Sequence, residues 1–142
     1  MKVIIDNKRA NFNYEFIAKY VAGLELQGSE VKAIKSGYGN VVDAFCYISD
    51  NEIFIKNFIV NGKGDFFSHD TNRVKKLLLK KREIKKISNM MDKHLTIVPV
   101  KLFFNERNKL KCEIAVAKGK KNYDKREAIK QRDMQKEIKN FI

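Results

Sequence analysis

The stretch from Ala117 to Glu127 concentrates the groups that could bind a phosphate backbone. Five cations lie within the nine positions from 118 to 126, together with Gly119 and Tyr123. Cations neutralise phosphates, glycine lets a backbone approach closely, and a tyrosine ring can stack on a base. A hydrophobic core requires none of these features. The alternative interpretation is an ordinary solvated charge run, and the rest of the chain argues against it.

The overall charge also indicates a polyanionic partner. The chain has 142 residues, a net charge of +13 and a pI near 9.7, and self-repulsion at that charge costs stability. Nucleic acid is the favoured partner, and an anionic membrane surface is the rival. The sequence shows neither an apolar run as long as a membrane span nor a signal peptide, so we expect a cytoplasmic protein.

The residues of common catalytic and metal sites lack the required spacing. There is no glycine-rich phosphate loop, serine elbow or histidine pair, and the 17 carboxylates are scattered. Cys46 and Cys112 lie in apolar runs and are expected to be reduced and buried. His69 and His94 stand apart from both cysteines. We therefore expect neither an enzyme nor a metal or cofactor site.

Two further basic patches accompany the first, which includes Lys111 and the cations from Lys118 onward. One is Asn7-Lys8-Arg9, and the other is the charged face of a predicted helix. Among the acids, Glu30 is of most interest because it lies beside Gly28, where a strand meets a helix. It is either a first-turn carboxylate that favours the helix dipole or a functional group, and both interpretations remain open.

Periodicity predicts the elements that carry these residues. Even positions from Phe12 to Leu26 are apolar or small, which indicates one long strand, bent or bulged near Gly23. Helices are predicted over Ser29–Lys35 and over 72–91, the second capped by Ser68 or Asp70. Hairpins are predicted from Phe45–Ile48 with Ile53–Ile59, and from Thr96–Phe104 with Lys109–Ala117. Pro99 lacks an N–H and belongs at an edge or bulge.

This mainly β, antiparallel order suggests a closed barrel of the oligonucleotide-binding type, with helices across its ends. The expected division is a barrel domain over 1–122 and a basic C-terminal tail over 123–142. From Asp124 the tail has six cations and four acids, with a narrow apolar stripe of Met134, Ile138 and Ile142. We expect it to be disordered when free and helical on a nucleic-acid surface.

Several motifs in this order resemble small protein B, the family of SsrA-binding proteins that partner transfer-messenger RNA in bacterial ribosome rescue. The resemblance runs from about Asn7 to Lys139. The motifs are Asn7-Lys8-Arg9-Ala10, Ala22-Gly23-Leu24-Glu25-Leu26-Gln27-Gly28-Ser29-Glu30-Val31-Lys32, Lys76-Leu77-Leu78-Leu79, Glu83-Ile84, Leu95-Thr96-Ile97-Val98-Pro99, Ala117-Lys118-Gly119-Lys120-Lys121 and Asp124-Lys125-Arg126-Glu127.

The resemblance implies an OB-like closed barrel of six strands with about three helices. It also implies a role in trans-translation, in which the barrel binds the tRNA-like domain of transfer-messenger RNA (tmRNA). The tail would enter the empty mRNA channel of a stalled ribosome and contact ribosomal RNA near the decoding centre. Val21 departs from the family, which usually has an acid there.

The candidate sites follow from the motifs and the basic patches. The RNA-binding candidates are Asn7, Lys8, Arg9, Gly23, Gly28, Glu30, Lys32, Lys118, Gly119, Lys120, Lys121 and Tyr123. The tail candidates for the ribosome are Asp124, Lys125, Arg126, Lys130, Arg132, Lys136 and Ile138. A monomer is expected. A general OB-type ribosome-associated or single-strand RNA-binding protein is the alternative, and a small RNA-processing enzyme is the third reading.

Overall fold

The computed structural model describes residues 2–61 and 72–120. Its strands are β1 (Lys2–Asp6), β2 (Tyr14–Leu24), β3 (Gly39–Asn40), β4 (Phe45–Ser49), β5 (Glu52–Lys56), β6 (Ile59–Val60), β7 (Lys75–Leu78), β8 (Leu95–Phe104) and β9 (Leu110–Gly119). Its helices are α1 (Lys8–Asn13), α2 (Gly28–Lys35) and α3 (Lys81–Met90). The predicted caps Ser68 and Asp70, the residues from Lys121 onward, and therefore the proposed tail domain lie outside the described residues.

Six strands form a closed ring. They pair in the order β8–β4–β5–β7–β2–β9, and β9 pairs back onto β8. Every pairing is antiparallel, and β1 joins the ring from outside by pairing with β8. The small strands β3 and β6 pair with each other. This arrangement confirms the predicted mainly β, six-stranded closed barrel of the OB type.

The core lies inside this ring, where alternate side chains of the strands meet. Cys46, Ile55, Leu77 and Ile114 are examples, and both predicted buried cysteines are free thiols. The ends of the ring are covered by helices, because Ile34 of α2 and the α3 residues Ile84 and Ile87 belong to the same buried cluster. A second, smaller cluster lies under α1 and consists of Ala10, Val98 and Ala117.

The C-terminal hairpin agrees with the sequence prediction. β8 and β9 pair over nearly their full length, and the register shifts between Pro99 and Lys101. Pro99 therefore occupies a bulge, as its missing N–H predicts. The shift changes which side chains point inward, so Ile97 and Leu102 both lie in the main core. At the end of α2, Gly37 has a φ of +88°, the left-handed conformation that the predicted turn requires.

The predicted helix over 72–91 is wrong in its first half. Lys75–Leu78 is a strand, and the helix begins only at Lys81. Val74, Leu77 and Leu78 fit a helical repeat, but Lys75 is fully buried while Leu78 is 48% exposed. Burial therefore alternates with period two, and the basic face assigned to one helix is divided between a strand and a helix.

The predicted strand from Phe12 to Leu26 is also shorter than expected. The helix α1 occupies its first residues, and β2 begins at Tyr14. Gly23 lies in regular pairing, whereas the register shift falls between Phe16 and Ala18. Ile17 is the residue left out of the pairing and is 53% exposed. The bulge therefore lies at Ile17, an apolar residue at an odd position, and not at Gly23 as predicted.

Candidate nucleic-acid interface

Asn7 fixes the start of α1 against the barrel. Its Oδ1 accepts a hydrogen bond from the Ala10 N–H at 3.3 Å, and its Nδ2 donates to the Pro99 carbonyl at 2.8 Å. A longer bond of 3.4 Å reaches the Val41 carbonyl. The side chain is buried by these contacts, while the next residues, Lys8 and Arg9, are exposed. Asn7 therefore positions two surface cations and is not itself a surface residue.

Lys120 brings the end of β9 to the same helix. Its backbone N–H donates to the Asn13 carbonyl at 2.9 Å, and its Nζ donates to the Asn11 carbonyl at 3.0 Å. These carbonyls lie at the C-terminal end of α1, where cations interact favourably with the helix dipole. Two basic segments separated by more than one hundred residues therefore form one surface. We call it the α1–β9 patch, and it comprises Lys8, Arg9, Lys118, Gly119 and Lys120.

A groove of about 350 Å³ lies beside the α1–β9 patch, between α1 and the start of β4. Arg9 and Asn13 line one side, and Phe45, which is 37% exposed, lines the other. Tyr14 also borders the groove. A guanidinium, an amide and two aromatic rings in one groove provide groups that can stack on a base and contact its edges.

Glu30, a predicted RNA-binding residue, lies inside the protein. Its carboxylate is fully buried and forms ion pairs with Arg73 at 2.6 Å and with Lys75 at 3.8 Å. It also accepts a hydrogen bond from the Gln27 N–H at 2.8 Å. Lys75, also fully buried, donates to the Phe58 carbonyl at 2.8 Å. We refer to Glu30, Arg73 and Lys75 as the buried ion cluster.

The buried ion cluster keeps the Glu30 carboxylate charged. Burial alone would raise the pKa of Glu30, but the Arg73 hydrogen bond and the Gln27 N–H oppose it, and the charges of Arg73 and Lys75 add to them. The net result is a pKa below the ordinary value of Glu30. Glu30 therefore serves both as the first-turn carboxylate of α2 and as the partner of two cations from the segment before and within β7.

The remaining predicted residues lie near α2. Gly28 begins this helix and has open space around it, and Lys32 is exposed on its surface. Gly23 lies on the outer face of β2, where an added Cβ would be 3.2 Å from the Leu78 Cβ and 3.6 Å from the Lys111 Nζ. We call the set of Gly23, Gly28, Lys32 and Lys111 the α2 patch; Gly23 itself is buried, and α2 begins four residues after the end of β2.

The two patches occupy opposite ends of the same pair of strands. Tyr14, at the first end of β2, pairs with Gly119 of the α1–β9 patch, whereas Gly23, near the other end, pairs with Lys111. Eight residue steps of β9 separate Lys111 from Gly119, so these two ends lie about 26 Å apart along the strand. The predicted RNA-binding residues therefore form two separate surfaces, and Lys121 and Tyr123 lie outside the described residues.

The surface around Gly23 and Lys111 includes cations that were not among the predicted RNA-binding residues. A shallow depression of about 470 Å³ contains Gly23 and Lys111 together with Lys76, Leu78 and Lys80. The predicted helix over 72–91 places Lys76 and Lys80 on its charged face. Val21, which is 49% exposed, also lines the depression and lies directly across the strands from Glu113. The run Lys75-Lys76-Leu77-Leu78-Leu79 does not alternate in polarity, so the local sequence carried no signal for this strand.

Neither cysteine is suited to catalysis. Burial raises the pKa of Cys112 to about 12, with a smaller contribution from the Glu113 charge, and burial also raises the pKa of Cys46 well above its ordinary value. A thiolate nucleophile requires the opposite shift. Across residues 2–61 and 72–120, no group of three or more His, Cys, Asp or Glu side chains could hold a metal ion. In the same ranges, no helix has the length and hydropathy of a membrane span.

Comparison with known proteins independently supports the resemblance to the small protein B family. The family model described as SmpB protein matches residues 4–142. The SsrA-binding protein of Cytophaga hutchinsonii is 46% identical over 142 residues, covering 98% of this chain and 93% of the relative. That of Thermosipho africanus is 44% identical over 145 residues, covering 100% of this chain and 97% of the relative.

The fold is similar to that of a solved structure. The structure is described as "tmRNA-SmpB: a journey to the center of the bacterial ribosome", and the TM-score is 0.71 at 34% sequence identity. The match covers 91% of this chain and 95% of the other.

Proposed function

The chain belongs to the SmpB family, and on that premise we propose that it is an RNA-binding factor of trans-translation. It binds the tRNA-like domain of tmRNA and delivers that RNA to stalled ribosomes. Relatives named SsrA-binding proteins and a structural neighbour described as tmRNA-SmpB in the bacterial ribosome support this role.

The observation that carries the proposal is the separation of two cationic surfaces on one closed barrel. The α1–β9 patch and the α2 patch are about 26 Å apart along β9. A few unstructured nucleotides can contact one patch, whereas a folded RNA can contact both at once. Because a closed barrel holds its strands in fixed register, the spacing selects the shape of the RNA and not its sequence.

The predicted contact residues have two different roles in this proposal. Lys8, Arg9, Lys32 and Lys118 are exposed and contact phosphates, while Gly119 allows the backbone to approach. Asn7 and Glu30 are buried positioning residues, since each holds a helix that carries exposed cations.

The C-terminal residues provide a second activity. Asp124, Lys125, Arg126, Lys130, Arg132, Lys136 and Ile138 contact ribosomal RNA after the tail enters the empty mRNA channel. Lys120, the last described residue, is anchored to α1, so the described part of the chain ends within the α1–β9 patch.

The factor acts without catalysis and without a cofactor. Its family is one of RNA-binding factors, and the raised pKa values of Cys46 and Cys112 fit a structural role for both thiols. We further propose that it works in the cytoplasm as a monomer, because its partner is the ribosome.

A competition titration tests this function. Labelled tRNA-like domain of tmRNA is bound at moderate salt and challenged with excess unlabelled, unstructured RNA of equal length. The label should remain bound, and affinity should fall steeply with salt, with a slope of about −0.7 to −0.9 per phosphate contact. Equal competition by the two RNAs would instead identify a general single-strand binder.

A further inference from the structure

Helix α3 carries an exposed cluster of cations that neither patch includes. Lys81, Arg82, Lys85 and Lys86 are all exposed, and the only acid of the helix is Glu83. The Glu83 carboxylate accepts a hydrogen bond from the Lys80 N–H at 3.1 Å and thereby caps the helix. Ion pairs among residues 2–61 and 72–120 involve other lysines and arginines, and none includes these four.

The arrangement of these cations works against the helix. Lys81 and Lys85 are four residues apart, as are Arg82 and Lys86, and like charges at this spacing destabilise a helix. Lys81 and Arg82 also occupy the first turn, where the helix dipole favours negative charge. A helix selected for solubility alone would alternate Glu with Lys. The pattern is instead one that a bound polyanion would stabilise.

A groove of about 460 Å³ runs beside these cations, between α3 and the β4–β5 turn. Its floor is apolar, formed by Ile48 and Ile84. Its walls carry hydrogen-bond donors and cations from both elements, namely Asn51, Lys81, Lys85, Ser88 and Asn89. Glu52, the acid at its rim, lies 3.6 Å from Lys76, which offsets its charge.

The groove adjoins the depression that contains Gly23 and Lys111, since Glu52 lines both, but the two lie on different sides of α3. At 100° per residue, Lys81, Lys85 and Ser88 lie on one side of the buried Ile84–Ile87 stripe, and Glu83 lies on the other. Glu83 borders the depression that contains Gly23 and Lys111. Lys81 and Lys85 therefore face a different part of the surface.

We propose that the α3 groove is a further RNA-binding site, which takes the phosphate backbone of a segment other than the tRNA-like domain. Lys81 and Lys85 neutralise phosphates, while Ser88, Asn51 and Asn89 donate to phosphate or sugar oxygens. The assignment of that segment to ribosomal RNA rests on the proposed function. A donor-rich groove whose cations form no ion pair within residues 2–61 and 72–120 fits RNA better than a protein surface, whose acids are fewer and spaced irregularly.

The test compares two variants of the full chain that lose the same charge. Lys81→Gln/Lys85→Gln alters the groove. Arg107→Gln/Lys109→Gln alters exposed cations in the β8–β9 turn and serves as the matched control. Each variant is titrated alone against labelled tRNA-like domain and against purified ribosomal RNA. The preformed complex of each variant with the tRNA-like domain is titrated against vacant ribosomes. All three titrations are repeated at several KCl concentrations. Thermal melting checks that both variants fold.

The groove variant should bind the tRNA-like domain within about two-fold of the wild type. Its affinity for ribosomal RNA and for ribosomes should fall roughly ten-fold, and the salt slope should become shallower by about 1.4 to 1.8, the value for two lost phosphate contacts. The control should change each affinity by less than about two-fold.

Three results would overturn the proposal. An equal loss in the control would mean that only net charge matters. An equal loss for the tRNA-like domain would place the groove within the site already proposed. A loss on ribosomes with an unchanged salt slope and unchanged binding to ribosomal RNA would identify a protein partner. The titration with purified ribosomal RNA uses the protein alone. It therefore tests the groove even if the protein binds the tRNA-like domain no better than unstructured RNA.

Discussion

At the scale of single residues, Glu30 connects three parts of the chain. It caps α2 through the Gln27 N–H, pairs with Arg73, and neutralises Lys75 inside the barrel. The sequence showed the first of these roles, because an acid near the start of a predicted helix is a recognisable pattern. It could not show the others, since the two cations lie more than forty residues later and their burial depends on the folded barrel.

We expect Glu30→Gln to destabilise the fold by about 3 kcal/mol, because it leaves the buried Lys75 without a countercharge. Urea unfolding measures the change, and Glu25→Gln is the control, since Glu25 is exposed. An unchanged midpoint would show that the cations stabilise themselves through the carbonyls they already contact.

The effect of Glu30→Gln should depend on pH. The pKa of Glu30 is lowered in the folded state, so the unfolded chain binds the proton more readily. The stabilisation is therefore complete above the unfolded pKa, near the ordinary value of 4.5, and is lost as pH falls through the lower folded pKa. The stability difference between wild type and variant should shrink below about pH 4.5. A difference that grew on acidification would contradict this assignment.

Substitutions of Asn7, the N-cap of α1, and of its neighbour Lys8 should have different effects on stability and on RNA binding. Asn7→Ala removes a helix cap and the donor to the Pro99 carbonyl, so it should cost about 1–2 kcal/mol of stability. Lys8→Ala should leave stability within about 0.5 kcal/mol and weaken binding to the tRNA-like domain. Chemical unfolding and RNA titration of both variants check this. Loss of stability in Lys8→Ala would contradict the division.

At the scale of elements, long-range contacts decided where the prediction from sequence was wrong. The hairpin of β8 and β9 and its bulge at Pro99 follow local rules, and both were predicted. β7 was predicted as helix because the sequence does not distinguish a buried lysine from an exposed one. The burial of Lys75 depends on Glu30 and the Phe58 carbonyl, which only the fold brings close to it. β1 and α1 were missed because each is short and depends on β8 for its partners.

The charge pattern of α3 predicts a conflict between stability and binding. Lys85→Glu replaces a repulsive pair with Lys81 by an attractive one, so it should stabilise the protein by about 0.5 kcal/mol. The same change should weaken binding to ribosomal RNA, because Lys85 lines the α3 groove. Thermal melting and a titration with purified ribosomal RNA measure the two effects, and Arg107→Glu is the control in an exposed turn. A stabilised variant with full affinity would show that Lys85 does not contact the RNA.

At the scale of the whole molecule, the closed barrel was predictable and the layout of its surfaces was not. Alternation over long strands indicates a barrel, and the resemblance supplied the candidate RNA-binding residues. Sequence proximity nevertheless suggested neither that Lys8 and Lys120 share a surface nor that Gly23 lies about 26 Å from it. Those positions follow from the pairing of β2 with β9.

Barrel and tail should be separable by mutation. Asp124→Ala/Lys125→Ala/Arg126→Ala should leave affinity for the tRNA-like domain within about two-fold, because the barrel patches are intact, and should abolish peptide tagging on stalled ribosomes. RNA titration and a tagging assay measure the two activities. Lys120→Ala/Lys121→Ala, at the junction, should weaken both. If the triple variant lost RNA affinity in proportion to tagging, the tail would belong to the same RNA-binding surface as the barrel.

The closed ring also determines when the protein can fold during its own synthesis. β2 pairs with β7 and β9, so it has no strand partner until residues 77 and 78 have been made, and its other edge is not fully paired until residue 119. An early strand that waits for late partners gives a high contact order and a slow, aggregation-exposed folding step. The barrel therefore closes only after almost the whole domain has been translated, and a nascent chain interrupted before β9 would leave its β2 edge open to unwanted pairing.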